Sequence, residues 1–293
     1  MIGAGPWAQR AHAPALAAGP HTRLAGIWAR RPDAARNLAT RFDTIAYDTL
    51  PELLEACDAL AFAVPPAIQS ELGVMAAKSG LALLLEKPLA ADLDGARRLA
   101  EAIAEAGVPS QMALTLRYAS TVRAFLARAR AIKPFGGHAE WVSGGVVGGP
   151  FATPWRRQRG AILDVGPHVI DLLDAALGRV AEVRAHGSAS GWAGLLLAHA
   201  GGAVSEVSLC TRALVERPVC RVEIYGDRGS AVADPITVDG DTWTTIAREF
   251  AATVRQGGGH PLDAWHGLRL QEIIQAAEWG LGREGAIRPA GRQ

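Results

Sequence analysis

Along the first third of the chain, short apolar runs alternate with stretches of helical spacing. "RLAGIWA" (23 to 29), "ALAFAV" (59 to 64) and "LALLLE" (81 to 86) have the length and apolarity of buried strands. Between them, "PDAARNLATRF" and "AIQSELGVMAAKSG" repeat their apolar residues at the helical period, the second closing on a Gly. After Pro88, "LDGARRLAEAIAEAG" is a further amphipathic helix, and "PSQMAL" is the strand that follows. Repetition of strand, helix and strand predicts a parallel sheet covered on both faces, and right-handed crossovers make it doubly wound. The strand that should open this series is reduced to Met1 and Ile2. Either the chain starts downstream of its natural beginning or the sheet tolerates a very short first strand.

The pattern changes after about residue 114. "TVRAFLARARAI" and "GAILDVGPHVIDLLDAALG" read as helices, with the strand "GHAEWVSGGVV" between them. Then "VAEVRAHGSAS", "AGLLLAHA", "GAVSEVSLCT", "CRVEIYGD" and "GSAVADP" follow as consecutive strands without intervening helices. That order predicts an open, mainly antiparallel sheet in a second, α+β domain. A final amphipathic helix, "LDAWHGLRLQEIIQAAEWGLG", should pack near the domain junction. The expected division is residues 1–114 and residues 115–293, and a chain of 293 residues is long enough for two such domains.

Charge narrows the function classes. The formal net charge is +1, with acids and bases scattered along the chain, which argues against nucleic acid and anionic membrane as partners. Cys57, Cys210 and Cys220 are odd in number and widely spaced, fitting neither a disulfide framework nor a zinc site, so the expected location is the reducing cytoplasm. No stretch reaches the length of a membrane span.

Chemistry enters at the chain's first residues. In "MIGAGPWAQRAHAPAL", Gly3, Gly5 and Ala8 stand in G-x-G-x-x-A spacing ahead of a helix. The first small residue permits a tight turn, the second lets backbone approach a pyrophosphate, and the third lets helix and strand pack closely. This predicts a Rossmann-type dinucleotide-binding domain. The next strand ends in Ala29, Arg30 and Arg31, about twenty residues on, where an acid suits the ribose of NAD and an Arg the 2′-phosphate of NADP. NADP(H) is the favoured cofactor and NAD(H) the alternative; a blander reading has both Arg solvated and Asp33 favouring a helix N-terminus.

Only three of the 30 basic residues are Lys, and one of them, Lys87, stands with Glu86 and Pro88 at the end of an apolar strand. Unlike Arg, a Lys in a low-dielectric cleft can shift its pKa and move a proton. Farther on, Asp164, His168 and Asp171 fall on one face of a helix if it is continuous. Gly166 and Pro167 threaten that continuity and predict a distortion, or a restart with Pro167 in the first turn. A solvated pair is the bland reading of Asp164 and His168; a metal site lacks further ligands at useful spacing, and Asp171 is read as structural. His12, His138, His199 and His266 show no partner in the sequence and are read as structural or surface residues.

These pieces resemble the glucose-fructose oxidoreductase / inositol dehydrogenase (Gfo/Idh/MocA) family over nearly the whole chain. The likeness rests on "GAGPWA", "DALAFAVPPAIQSELGVMAAKSGLALLLEKPLA", "VPSQMALTLRY" and "WRRQRGAILDVGPHVIDLLDAALG". It implies transfer of a hydride between a nicotinamide and a sugar, cyclitol or keto-sugar carbon, and places catalytic roles on Lys87, Asp164 and His168. His168 is the implied general base or acid, Asp164 orients it or holds a substrate hydroxyl, and Lys87 bonds the reacting oxygen. Glu86 is read as holding Lys87 or contacting the cofactor, and Pro88 as fixing the chain direction, with a cis bond open to it. The expected cofactor contacts are Gly3, Gly5, Pro6, Trp7, Ala8, Arg30, Arg31, Pro65, Glu86 and Lys87. The expected substrate contacts are Lys87, Arg117, Tyr118, Trp155, Arg156, Asp164 and His168, with a core role for Arg117, Tyr118, Trp155 and Arg156 nearly as well supported. The chain departs from the family pattern at Pro65 to Gln69, where a His is common, and at Thr115, where an Asn is common. Other readings on this fold are an NAD-dependent glycosidase and a dinucleotide-binding sensor without chemistry. The family also implies a homodimer or homotetramer formed through the second-domain sheet.

Overall fold

In the computed structural model, residues 1–149, 152–234, 237–238 and 240–281 are described. After the glycine loop, a π-helical turn, Ala8–His12, runs into α1 (Ala13–Ala17). Then come β1 (Gly26–Ile27), α2 (Pro32–Arg41), β2 (Ile45–Ala46), α3 (Leu50–Glu55), β3 (Ala59–Ala61), α4 (Pro66–Lys78), β4 (Ala82–Leu85), α5 (Leu93–Ala106) and β5 (Ser110–Met112). β1 pairs with β2, and β3 with β4 and β4 with β5, all parallel. A single residue joins the two groups: Ile2 bridges Trp28 on one side and Phe62 on the other. Its N–H donates to Ala61 O at 2.8 Å and its carbonyl accepts from Ala63 N at 2.8 Å. Gly3 N and Trp28 O (2.9 Å) and Trp28 N and Met1 O (3.0 Å) complete the ladder. The resulting order, β2, β1, Ile2, β3, β4, β5, is that of a Rossmann sheet with its central strand reduced to one paired position. The short first strand anticipated from Met1 and Ile2 is thus accommodated without breaking the sheet.

The second half opens with a 3₁₀ turn (Thr115–Tyr118), followed by α6 (Ser120–Ala131), β6 (Pro134–Val142), α7 (Pro154–Asp164) and α8 (Gly166–Leu177). β7 (Val180–Gly187), β8 (Ala193–His199), β9 (Val204–Cys210), β10 (Val219–Gly226) and β11 (Gly229–Ala233) then build a six-stranded sheet with β6, in the order β11-β10-β6-β9-β8-β7. Every pairing is antiparallel except β6 with β9. α8 covers one face, and the other exposes Leu196, Val204, Tyr225 and Val232. α9 (Thr242–Gln256) and α10 (Ala264–Leu281) end the described chain.

These last elements return to the first half. α10 packs on both α5 and β7. β5 is completed by the tail: Leu262 O accepts from Met112 N at 2.6 Å, Ser110 Oγ from Ala264 N at 3.1 Å, and Ile246 O from Gln111 Nε2 at 3.1 Å. Among the described residues no helix is long and apolar enough to cross a membrane.

Candidate active site

Each residue expected to hold a dinucleotide lies at the carboxyl end of a parallel strand, where ligands of this fold bind. Gly3 has φ +107, and a Cβ there would meet Ala63 O at 2.3 Å, so only Gly permits this turn. A Cβ on Gly5 would meet nothing within 4 Å, which leaves the loop's outer side open. Ala8 is fully buried against the sheet. This tight, open-faced loop running into a helix fits a pyrophosphate. Arg30 and Arg31 are exposed beyond β1 and make no ion pair among the described residues, whereas Asp33 is taken by Arg36 at 2.7 Å. Pro6 is exposed beside Gly5, and Pro65 is exposed at the N-terminus of α4.

Lys87 follows β4 directly, through a cis bond to Pro88. Its backbone turn is fixed by Gln69, a fully buried amide. Gln69 Nε2 donates to the carbonyls of Glu86 (2.7 Å), Pro88 (3.3 Å) and Leu89 (3.0 Å), and its Oε1 accepts from Glu86 N at 2.8 Å. Gln69 stands in the stretch where the chain departs from its family's pattern, and four hydrogen bonds from one side chain explain what it does there.

The partner of the Lys87 ammonium comes from the second half. α7 stops at Asp164, Val165 has φ −109, and α8 restarts with Pro167 in its first turn. In a continuous helix Asp164 O would accept from His168 N; here His168 N bonds Val165 O at 3.1 Å instead. The freed Asp164 carbonyl accepts from Lys87 Nζ at 2.7 Å, and its Oδ1 lies 3.3 Å from the same nitrogen. Arg156 Nε reaches that Oδ1 at 3.0 Å, and the guanidinium lies 4.5 Å from the centre of the Trp155 ring. Burial alone would raise the Asp164 carboxyl; Lys87 and Arg156 outweigh it and hold it below the usual carboxylate value. His168 is buried with its ring stacked on Trp141 at 5.6 Å, and its Nδ1 has no hydrogen-bond partner among the described residues. Burial first, and then the Lys87 charge, push it well below the usual imidazole value, so it is neutral.

The chain matches the description "Oxidoreductase family, NAD-binding Rossmann fold" over residues 1–114 and "GFO/IDH/MocA C-terminal domain" over residues 137–232. It belongs to the Gfo/Idh/MocA oxidoreductase family. Among curated relatives, it is 34% identical over 110 residues to a dTDP-3,4-didehydro-2,6-dideoxy-alpha-D-glucose 3-reductase of Actinomadura kijaniata, covering 37% of this chain. That alignment spans 33% of the relative's length, about a third. Among solved structures, GenD2 from gentamicin A biosynthesis, bound to NAD, superposes with a TM-score of 0.83 at 22% identity, covering 95% of this chain and 92% of the other. A 3-ketoreductase from Actinomadura kijaniata, bound to NADP and TDP-benzene, superposes with a TM-score of 0.78 at 21% identity, covering 96% of each chain. At these identities the two superpositions speak for a shared fold.

Within this Gfo/Idh/MocA chain several sequence expectations need correction. Tyr118 is packed in the core, 2% exposed, with its hydroxyl donating to Met112 O at 2.8 Å. Arg117 is spent on the buried Asp171, which it reaches at 2.7 Å. Asp171 also takes His266 Nε2 at 2.7 Å, consistent with a structural role for Asp171 and giving His266 a partner. Asp164 makes no hydrogen bond to His168 among the described residues, because the helix break turns its carboxylate toward Lys87 and Arg156. The Glu86 carboxylate does not hold the Lys87 ammonium; it accepts from Trp7 Nε1 (2.6 Å), His12 Nε2 (2.7 Å) and the Lys87 backbone N–H (3.2 Å). His12 is therefore a partnered residue at the site's edge. Trp141, Trp243 and Gln69 went unremarked as site residues, since nothing in their local sequence separates them from ordinary strand and helix positions. Among the described residues no group of three His, Cys, Asp or Glu is placed to hold a metal ion.

Proposed function

We propose that this chain is an NADP-dependent oxidoreductase acting on a hydroxyl or carbonyl carbon of a sugar-like substrate, with Lys87, Asp164 and His168 as its catalytic residues. One observation carries the reading: the Lys87 ammonium, anchored on the carbonyl and carboxylate of Asp164, stands near a neutral, buried His168 whose Nδ1 is unpartnered among the described residues. When bound, the nicotinamide supplies or takes up the hydride at the substrate carbon. Lys87 donates a hydrogen bond to the reacting oxygen and balances its developing negative charge. Neutral His168 accepts the hydroxyl proton in oxidation and returns it in reduction. Asp164 keeps Lys87 aimed, and Lys87 and Arg156 together keep Asp164 ionised. Gly3 to Ala8 and Pro65, with the backbone of Glu86 and Lys87, would line the dinucleotide, with Trp155 and Arg156 at the substrate side.

The first half, residues 1–114, would carry the cofactor, and residues 115–293 the substrate and a homodimer or homotetramer interface on the open sheet face. The three cysteines, all free, fit a reducing cytoplasm. A substrate screen begins with nucleotide-linked keto sugars, because the curated relative acts on one, and continues to free sugars and cyclitols.

Cofactor choice is tested by fluorescence titration with NADPH and NADH. Wild type should favour NADPH, and Arg30→Ser with Arg31→Ser should weaken NADPH at least about tenfold while leaving NADH unchanged. Equal losses for both dinucleotides would remove the 2′-phosphate assignment.

A further inference from the structure

Glu86 is 8% exposed, one residue from Lys87, and yet its carboxylate is turned away from that ammonium. Both of its side-chain donors come from the helix that leaves the glycine loop. Trp7 Nε1 at 2.6 Å and His12 Nε2 at 2.7 Å share Oε1. That helix includes the π-helical turn Ala8–His12, and Ala11, His12 and Ala13 are all buried. His12 is fully buried, and its Nδ1 has no partner among the described residues. Trp7 Nε1 already donates to the same Oε1, and His12 Nε2 is set to share that oxygen as a second donor. Trp243, in the first turn of α9, closes the cluster from the second half, 4.7 Å from the His12 ring and 5.7 Å from the Trp7 ring.

A buried polar bridge is weak evidence for stability, because apolar side chains of similar volume often serve a fold as well. What this one achieves is geometric. Gln69 fixes the backbone of the strand end, and the Glu86 side chain fixes that strand end to the loop that would cradle the pyrophosphate. We propose that Trp7, His12 and Glu86 form a brace that sets the dinucleotide loop at a fixed distance from the turn carrying Lys87. His12 and Glu86 are positioning residues in this scheme: they act through the backbone of Gly3–Ala8 and of Lys87. The inference rests on the dinucleotide-binding reading above.

The test is a fluorescence titration of the full chain with whichever of NADPH and NADH the wild type binds more tightly. His12→Leu should weaken binding about tenfold, the loss of one hydrogen bond to a charged group. His12→Gln, whose amide still donates to Glu86, should stay within about threefold of wild type. Glu86→Leu should weaken binding at least as much as His12→Leu, and the double variant should lose no more than Glu86→Leu alone. Losses that add, or His12→Leu and His12→Gln weakening alike, would show separate packing effects and overturn the brace, as would wild-type affinity in His12→Leu. If His12→Leu fails to fold, Trp7→Phe with Glu86→Leu closes the same cycle. A wild type that binds neither dinucleotide would overturn the oxidoreductase reading itself.

Discussion

Lys87 illustrates how a single side chain is prepared for chemistry. Its ammonium has two acceptors on one residue, Asp164 O and Oδ1, and the first is free because the helix stops there. Replacing it with Met keeps the aliphatic stem and removes the donor. Lys87→Met should lower kcat by about 10²–10³ while the dinucleotide Kd stays nearly constant, the pattern of a donor used in the transition state. Full turnover in that variant would end its catalytic assignment. His168 makes a different kind of statement. It is neutral in the folded protein at pH values where an unfolded imidazole, with an ordinary value of 6.5, already carries a proton. The unfolded chain therefore binds more protons, and the fold loses stability as pH falls below about 6.5. His260, also lowered by burial, adds to the same trend. Melting curves taken from neutral to mildly acidic pH should show this decline, and His168→Asn should lessen it; an identical slope in the variant would mean the imidazole is not held neutral.

At the scale of elements, the site depends on a helix that breaks twice. Gly160 interrupts α7 with φ +68, and a Cβ there would lie 1.6 Å from Ala189 O. Neither the backbone angle nor the contact admits a side chain. Gly160→Ala should cost about 2–4 kcal/mol of stability by denaturant titration, and it should lower turnover by shifting Asp164 away from Lys87. The second break, at Val165, was visible in the sequence: Gly166 and Pro167 predict a restart, and α8 begins there. Most of the strand and helix order was visible too, β2, α3 and α9 apart, because apolar periodicity and turn residues act locally. α3 went unread despite its capping box, Thr49 with Glu52. α9 also went unread, although its apolar residues bury at helical spacing against the first half. The π-helical turn and the Glu86 contacts were not legible at all. They depend on residues far apart in the chain, 79 positions between Trp7 and Glu86, which local pattern does not encode.

At the scale of the molecule, the sheet of the second half leaves one face uncovered, on which apolar side chains stand among charged ones such as Arg184, Glu206, Arg221 and Glu223. Leu196, Val204, Tyr225 and Val232 are 42–48% exposed on it, and a partner subunit would bury them. Leu196→Asp should shift the protein to monomers in light scattering; an unchanged mass would place the interface elsewhere. The same half also finishes the other one. β5 takes its last hydrogen bonds from Leu262, Ala264 and Ile246. During synthesis, then, the dinucleotide-binding half emerges from the ribosome first and waits. The Met112 N–H on its sheet edge waits for Leu262, about 150 residues farther along, so the half that is made earlier is finished by the one made later.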